Sequence, residues 1–375
     1  MNVIRTCLLI VLCAGLLDAR QLPTGKNAGE PGSPGETVEA YSIAAWDSGT
    51  GDLGIAVESG FLAAGAVVPY AKANVGAFVT QAHANAEFGA LGLAMLARGM
   101  SARQVIEDLI RDDSGASRRQ LGAVDARGNA FAYTGSACGQ YAGQIIGSNY
   151  TVQGNALAGD GVVKAVAHTF ELTPGDLADR LIAALEAGER AGGRRSRNQS
   201  AALLVVRERG GYSGSNDRLI DIRVDQDSLP LVELKRIYSK WDETFLFDAR
   251  MRTIDEFNRE KKFAAAQAEM QRAIQGFNEQ LRVHPDDPDV LTHIAWILAT
   301  NDLDRERALL LAKRAATLAP GRSQMLATVA ECHYRLGHYE EAIAIETELV
   351  AREPANDEYW RQLQKFKDAK QKAGR

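Results

Sequence analysis

The chain has 375 residues, enough for two or three domains, and its 46% hydrophobic and 24% charged residues are an ordinary globular balance, which excludes a largely disordered chain. A net charge of −5 offers no global positive field to nucleic acid or an anionic membrane. The one basic cluster, Arg190 to Arg197, is short and flanked by glycine; it reads as a solvated loop, with an anion-binding loop as the sharper alternative.

Residues 1–20 read as a secretion signal. Arg5 supplies the positive start, Cys7 to Leu17 is an apolar run too short to span a bilayer, and cleavage is expected near Ala19. Leu12 ahead of Cys13 argues against a lipid anchor, and no later segment is apolar and long enough to cross a membrane. The expected place of the chain is therefore outside the cytoplasm, periplasmic or extracellular. Beyond the signal only Cys138 and Cys332 remain, too few for a disulfide framework, and no Cys/His spacing suits zinc. Neither metal nor cofactor is expected. Residues 21–38, rich in Pro and Gly, read as a flexible linker.

Order is expected from Tyr41. Strands are predicted at 41–46 and 53–58 across a polar turn, then at 75–81. Helix follows at 90–98. A second helix opens at Ser101, with Gln104 completing a capping box and Val105, Ile106, Leu109 and Ile110 as its apolar stripe. Strands are expected at 119–125, 129–134 and 150–154. Helices are expected at 160–171 and 174–190, the latter with Thr173 as N-cap and Pro174 at its first position. Strands at 201–207 and 219–224 close the domain, placed at 39–240. Paired strands, paired helices and paired strands again are not a βαβ rhythm; they predict an α+β sandwich of antiparallel sheets with helices outside.

From residue 250 to 375 the pattern is helical. A long helix is expected from Ile254 to Val283. Two units then repeat with a period of 34, matching Ala295 to Val329, Ala308 to Ala342 and Pro320 to Pro354. The second unit, with small residues at the helix contact, Gly337 and Tyr339 at the turn and Pro354 at the end, resembles the tetratricopeptide repeat. The first departs from it at Asn301-Asp302-Leu303. Polar Tyr359 to Lys372 reads as a solvating cap.

Motif chemistry is sparse. Gly49-x-Gly51-x-x-Gly54 has the letters of a dinucleotide fingerprint, but a strand rather than a helix should follow it, so the pyrophosphate would find no helix N-terminus. Neither a P-loop nor a Gly-x-Ser-x-Gly elbow is present. A Ser-His-Asp triad could use only His83, since His168 falls mid-helix, and no spacing supports one.

Several stretches do resemble one family. They include Tyr41-Ser42-Ile43-Ala44-Ala45-Trp46-Asp47, Gly65-Ala66-Val67-Val68-Pro69-Tyr70-Ala71-Lys72, Thr80-Gln81-Ala82-x-Ala84-Asn85 and Gln120-Leu121-Gly122-x-Val124-Asp125. Tyr150-x-Val152-Gln153-Gly154-Asn155-x-Leu157-Ala158-Gly159 is the most specific, and Gln199-Ser200-Ala201-Ala202-Leu203 completes the set. Over residues 40–240 the chain is similar to the "domain of unknown function 1028" family, grouped by fold with the N-terminal-nucleophile (Ntn) hydrolases. The resemblance implies a four-layer αββα sandwich. It also implies a Thr, Ser or Cys exposed as first residue by cleavage, whose α-amine is the base while backbone or amide donors hold the oxyanion. The chain departs from the pattern at that position, which is Ala40, and again at Arg194, where the family usually carries Asp. Thr37 or Ser42 would be freed only by a second cleavage.

These residues leave Ser42 as candidate nucleophile and Lys72 as a cation that would lower its pKa; a strand serine and a surface lysine explain them equally. Gln81, Asn85, Gln153, Asn155, Gln199 and Ser200 are candidate ligand-binding residues, because amides supply donors and acceptors together; satisfying buried backbone groups is the competing role. Cys138 is either a reactive thiol or a small buried hydrophobe. Three functions stay open: an exported Ntn-type amidohydrolase acting on peptide or cell-wall amides, a non-catalytic module binding a small amide or peptide, and an envelope scaffold gripping a peptide or protein partner in its repeats. Self-association through the repeats is open as well.

Overall fold

The computed structural model describes residues 37–194 and 199–374. The expected signal, the linker up to residue 36 and residues 195–197 of the basic cluster lie outside the described residues. The fold is mixed α+β, with two antiparallel sheets followed by a run of helices.

The strands are β1 (Ala40–Trp46), β2 (Leu53–Ser59), β3 (Pro69–Lys72), β4 (Gly76–Ala82), β5 (Arg119–Asp125), β6 (Ala130–Thr134), β7 (Gly143–Gly147), β8 (Tyr150–Gly154), β9 (Ser200–Val206) and β10 (Arg218–Val224). One sheet has the order β10-β9-β2-β1-β8-β7 and the other β3-β4-β5-β6. β3 and β7, an edge strand of each sheet, are additions to the expected set: the first opens on a proline and the second is flanked by glycines, the composition that masks a strand.

Strand alternation decides which residue faces what. Along β1, Ala40 and Ala44 face the other sheet, while Tyr41, Ile43 and Ala45 face helices α3 (Gly161–Leu172) and α4 (Leu177–Arg190). On the far side of the second sheet, Phe78, Leu121 and Ala123 pack against α1 (Ala86–Ala97) and α2 (Ala102–Arg111). Both faces of each sheet are thus covered, which is why β9 is apolar almost throughout and buried at every residue. The capping box of α2 forms as expected. Helix α4 starts later than expected: Asp176 is its N-cap, Pro174 stays in the loop, and Thr173 instead terminates α3 by donating its hydroxyl to the Thr169 carbonyl. Strand β2 directly follows Gly49-x-Gly51, so the glycines there make a hairpin turn.

The segment 241–249 is helical throughout. Helix α5 (Pro230–Trp241) lays Leu231, Leu234 and Tyr238 into the core of the larger sheet and runs through a wide turn, Asp242–Leu246, into α6 (Phe247–Arg259). The single helix expected over 254–283 is two: α6 ends at Arg259 with Glu260 as its C-cap, Lys261 takes a left-handed φ of 59°, and α7 (Phe263–Val283) folds back. The reversal brings Phe247 onto Phe277, ring centroids 4.9 Å apart, where a straight helix would leave both faces wet. Helices α8 (Pro288–Thr300), α9 (Arg305–Leu318), α10 (Ser323–Arg335), α11 (Tyr339–Arg352) and α12 (Asp357–Ala373) then follow in antiparallel succession. Fully buried Ala295, Ala308, Ala330 and Ala342 let them approach closely.

A buried ion network ties the helices to the sheets. Arg207, after β9, is bidentate on Asp52, before β2, at 2.7 Å for both bonds, and also reaches Glu269 of α7 at 2.9 Å. Arg250 of α6 bonds the same Glu269 oxygen at 3.1 Å and Asp176 of the sheet domain. Arg272 holds the second Glu269 oxygen at 2.6 Å. Burial opposes the charge of Arg207, but Asp52 and Glu269 outweigh it and keep the guanidinium protonated.

Candidate functional site

Where the two sheets face each other, inward positions near one end of the strands are polar. β1 contributes Ser42, β8 contributes Thr151 and Gln153, β4 contributes Gln81 and β5 contributes Gln120, with Asn155 just after β8; all six are fully buried. The register explains the meeting: Ser42 is paired directly with Gln153 across β1–β8, and Gln81 with Gln120 across β4–β5.

Their hydrogen bonds form one network. The Ser42 hydroxyl donates to Gln81 Oε1 at 2.6 Å and accepts from Gln153 Nε2 at 2.7 Å. Gln153 Oε1 accepts from the Thr151 hydroxyl at 2.8 Å. Gln81 Nε2 and Asn155 Nδ2 both donate to Gln120 Oε1, at 2.8 and 3.0 Å. Gln120 Nε2 reaches the Gly154 carbonyl at 2.8 Å and the Thr134 hydroxyl at 3.0 Å. Gly122 leaves room for this layer: a Cβ there would stand 2.2 Å from Gln153 Oε1.

This arrangement sets limits on chemistry. Both side-chain partners of the Ser42 hydroxyl are amides, and an amide does not take up a proton, so neither can serve as its base. For Ser42 the α-amine route requires residue 42 to be a chain start, yet it lies inside β1, paired to Val57 on one side and Gln153 on the other. Tyr41, which a cut there would release, is fully buried, with its hydroxyl hydrogen-bonded to Glu58.

Of the sequence candidates, Ser42, Gln81, Gln153 and Asn155 come together. Lys72 does not join them: it is exposed, and it pairs with Gly76, five residues along β4 from Gln81, a distance of about 17 Å at ~3.3 Å per strand residue. Asn85 is the N-cap of α1, accepting from Glu87 N–H at 3.1 Å. Gln199 is exposed, and its backbone bridges the Ser59 carbonyl and the Asp227 amide. Ser200 is buried beyond the end of the cluster, donating to the Phe61 carbonyl at 2.6 Å and accepting from Ala64 N–H at 3.1 Å, which fixes the loop after β2. Gln120 and Thr151, central to the network, were not among the candidates. The alternation of β5, with Leu121 and Ala123 outward, is the signal that places Gln120 inward. Cys138 is the buried hydrophobe: it is 7% exposed, burial pushes its thiol up to about 11, and its Sγ meets the Arg119 carbonyl.

The sequence profile of a family of unknown function, DUF1028, matches residues 40–234. This chain belongs to the DUF1028 family. The DUF1028 match opens on the first residue of β1 and closes within α5, so it spans both sheets and the whole amide network, and leaves α6 to α12 outside. The chain is also similar to the crystal structure of protein SPO2555 from Silicibacter pomeroyi, assigned to DUF1028 as well, with 30% sequence identity and a TM-score of 0.50 over 54% of this chain and 86% of that one. No curated protein matches this chain.

Proposed function

We propose that this protein is an exported, non-catalytic binding protein, with a DUF1028 domain on an Ntn-hydrolase-like αββα scaffold and tetratricopeptide-like repeats that hold an extended segment of a protein partner. The observation that carries the non-catalytic reading is at residue 40. In an Ntn hydrolase that place belongs to a freed nucleophile; here it is Ala40, still joined to Glu39 and the buried Val38, while the neighbouring Ser42 hydroxyl spends its hydrogen bonds on Gln81 and Gln153. Helices on the outer faces of both sheets support the scaffold reading, and the 34-residue period over paired helices α8 to α11 supports the repeat reading.

The partner groove in this reading is the concavity of about 520 Å³ lined by α8, α10 and α12, with Thr292, Trp296, Gln324, Thr328, Tyr359 and Gln362 on its walls. The exposed Gln324 amide beside the exposed Trp296 suits an extended backbone. Export rests on the apolar run Cys7 to Leu17.

Intact-mass analysis of the exported protein is the test. A chain beginning near Arg20 or Gln21 and showing no acyl adduct with amide substrates is expected. A chain beginning at Thr37 or Ser42, or amide turnover abolished by Ser42→Ala, would restore the hydrolase. For the groove, a photo-crosslinker at residue 324 should capture one partner, and Trp296→Ala with Tyr359→Ala should remove that adduct.

A further inference from the structure

The backbone just ahead of β1 is held as a bound peptide is held. Val38 makes a closed antiparallel pair with Ala82: its N–H donates to the Ala82 carbonyl at 2.7 Å, and its carbonyl accepts from the Ala82 N–H at 2.9 Å. Asn155 Nδ2 donates to the same Val38 carbonyl at 3.3 Å. The Val38 side chain is 1% exposed, sunk between the sheets. Glu39, alternating, points the other way. Arg194 Nη2 donates to its carboxylate at 2.6 Å, and its carbonyl accepts from the Ser59 hydroxyl at 2.6 Å and the Gly60 N–H at 3.2 Å.

The receiving side is built for this. The Arg194 side chain is 1% exposed and lies over Gly60, where a Cβ would come within 2.0 Å of Nη1. Ala82 holds a left-handed φ of 60°, a conformation that persists in a residue other than glycine where its surroundings enforce it. One group stays unmet: Asn155 is fully buried, and its Oδ1 receives no hydrogen bond. A buried amide acceptor without a donor is uncommon, and the chain's own segment does not supply that donor.

We infer that the cleft between Ala82, Asn155, Ser59 and Arg194 is a binding site for an extended peptide of hydrophobic–acidic sequence, and that Val38-Glu39 fills it in cis. A strand-like backbone pair gives the affinity, an apolar slot takes the first side chain, and the buried guanidinium selects the acid at the second. The tethered segment competes at an effective concentration of millimolar order or above, so a free peptide enters only when the cis segment is weakened.

Fluorescence anisotropy with an N-terminally labelled Thr-Val-Glu amide and the full chain tests this. Glu39→Lys removes the cis carboxylate and leaves the site intact; it should bind the peptide at least ten-fold more tightly than the unaltered protein. Adding Arg194→Met to that variant should abolish binding of the Thr-Val-Glu peptide, and a Thr-Val-Gln amide should bind the Glu39→Lys protein at least ten-fold more weakly than Thr-Val-Glu does. Equal binding by the single and double variants overturns the proposal, and so does absence of binding by a Glu39→Lys protein whose urea unfolding is unchanged. Should Glu39→Lys not fold, the paired change Val38→Gly with Glu39→Gly is read in the same way. A negative result leaves the non-catalytic reading standing, because that rests on Ala40 and Ser42.

Discussion

Glu269→Gln takes away the one carboxylate on which Arg207, Arg250 and Arg272 converge, and keeps its shape. Burial alone would raise the Glu269 carboxyl, but the three guanidiniums more than reverse this and hold it at about 2, against an ordinary value of 4.5. At ~1.36 kcal/mol per pH unit, the difference corresponds to about 3 kcal/mol of folding free energy at neutral pH. That sits at the lower end of the ~3–5 kcal/mol expected for breaking a buried pair, as it should, because Arg207 keeps Asp52 and Arg250 keeps Asp176. The sign is that of a depressed carboxyl. Its contribution is complete above pH 4.5, the unfolded value, and is lost as pH falls toward 2. Urea unfolding of both proteins at pH 7 and at pH 2 should show a gap of about 3 kcal/mol that shrinks below about 1 kcal/mol in acid. Calorimetry adds a second readout: the network spans β2, β9, α6 and α7, so the variant should unfold its helices ahead of its sheets. A gap under about 1 kcal/mol at pH 7, or one that does not depend on pH, refutes the assignment of the network as the joint between the two parts.

Ser42→Ala leaves Gln81 Oε1 without its donor and should cost about 1–2 kcal/mol of stability, while Gln120→Leu, which empties the hub of the network, should cost more, about 2–4 kcal/mol by denaturant unfolding. Glu346 is fully buried and neither of its oxygens meets a hydrogen-bond donor; burial, then Glu331 and Glu358, push its carboxyl up to about 7. The native state therefore holds a proton that the unfolded chain releases near 4.5, so stability is complete below that pH and is lost as pH rises toward 7. Glu346→Gln should stabilise the protein by about 2–3 kcal/mol at pH 8 and by almost nothing at pH 4, read from paired urea curves. Cys138 and Cys332, raised by burial to about 11 and about 12, should resist Ellman's reagent at pH 8 in native protein and react at once in urea.

How far the site could be read from the chain depended on the period of the element. In the chain, Gln81 and Gln153 stand out as amides at strand ends or beside glycines; the alternation within β1, β4 and β8 turns Ser42, Gln81 and Gln153 inward, and strand pairing brings them together. Asn85 was a different matter. An Asn two residues before a glutamate at the mouth of an apolar run is a helix start, so its capping role was open to local reasoning, yet the Gln/Asn richness of the neighbourhood suggested a ligand. Lys72 needs topology to be placed: eight residues after Phe61 the chain enters the other sheet at Pro69, and only the β3–β4 register shows that Lys72 sits at the far end. The break at Lys261 carries no Gly or Pro, and it forms because Phe247 and Phe277 gain burial by facing each other, a tertiary preference that no local signal encodes.

The sheet domain has two ends with different chemistry, and β1 measures their separation. Ala40 lies at the amide end, beside Ser59, Asn155 and the Val38-Glu39 segment; Trp46 lies at the ionic end, opposite Leu53, next to the Asp52–Arg207 pair. Seven strand residues hold these ends about 20 Å apart. The helical part is clamped at the ionic end through Arg207, Arg250 and Glu269, with Arg252 donating to the Gly211 carbonyl beside them. Any influence between the repeats and the cleft at Arg194 has to pass along β1, β2 and β9, whose residues are buried on both faces and have little freedom to shift. Under the two proposals, binding at one end should be independent of binding at the other. Occupying the repeat groove should leave peptide affinity in the Glu39→Lys protein unchanged, and a change of more than about three-fold would mean that the strands transmit strain after all.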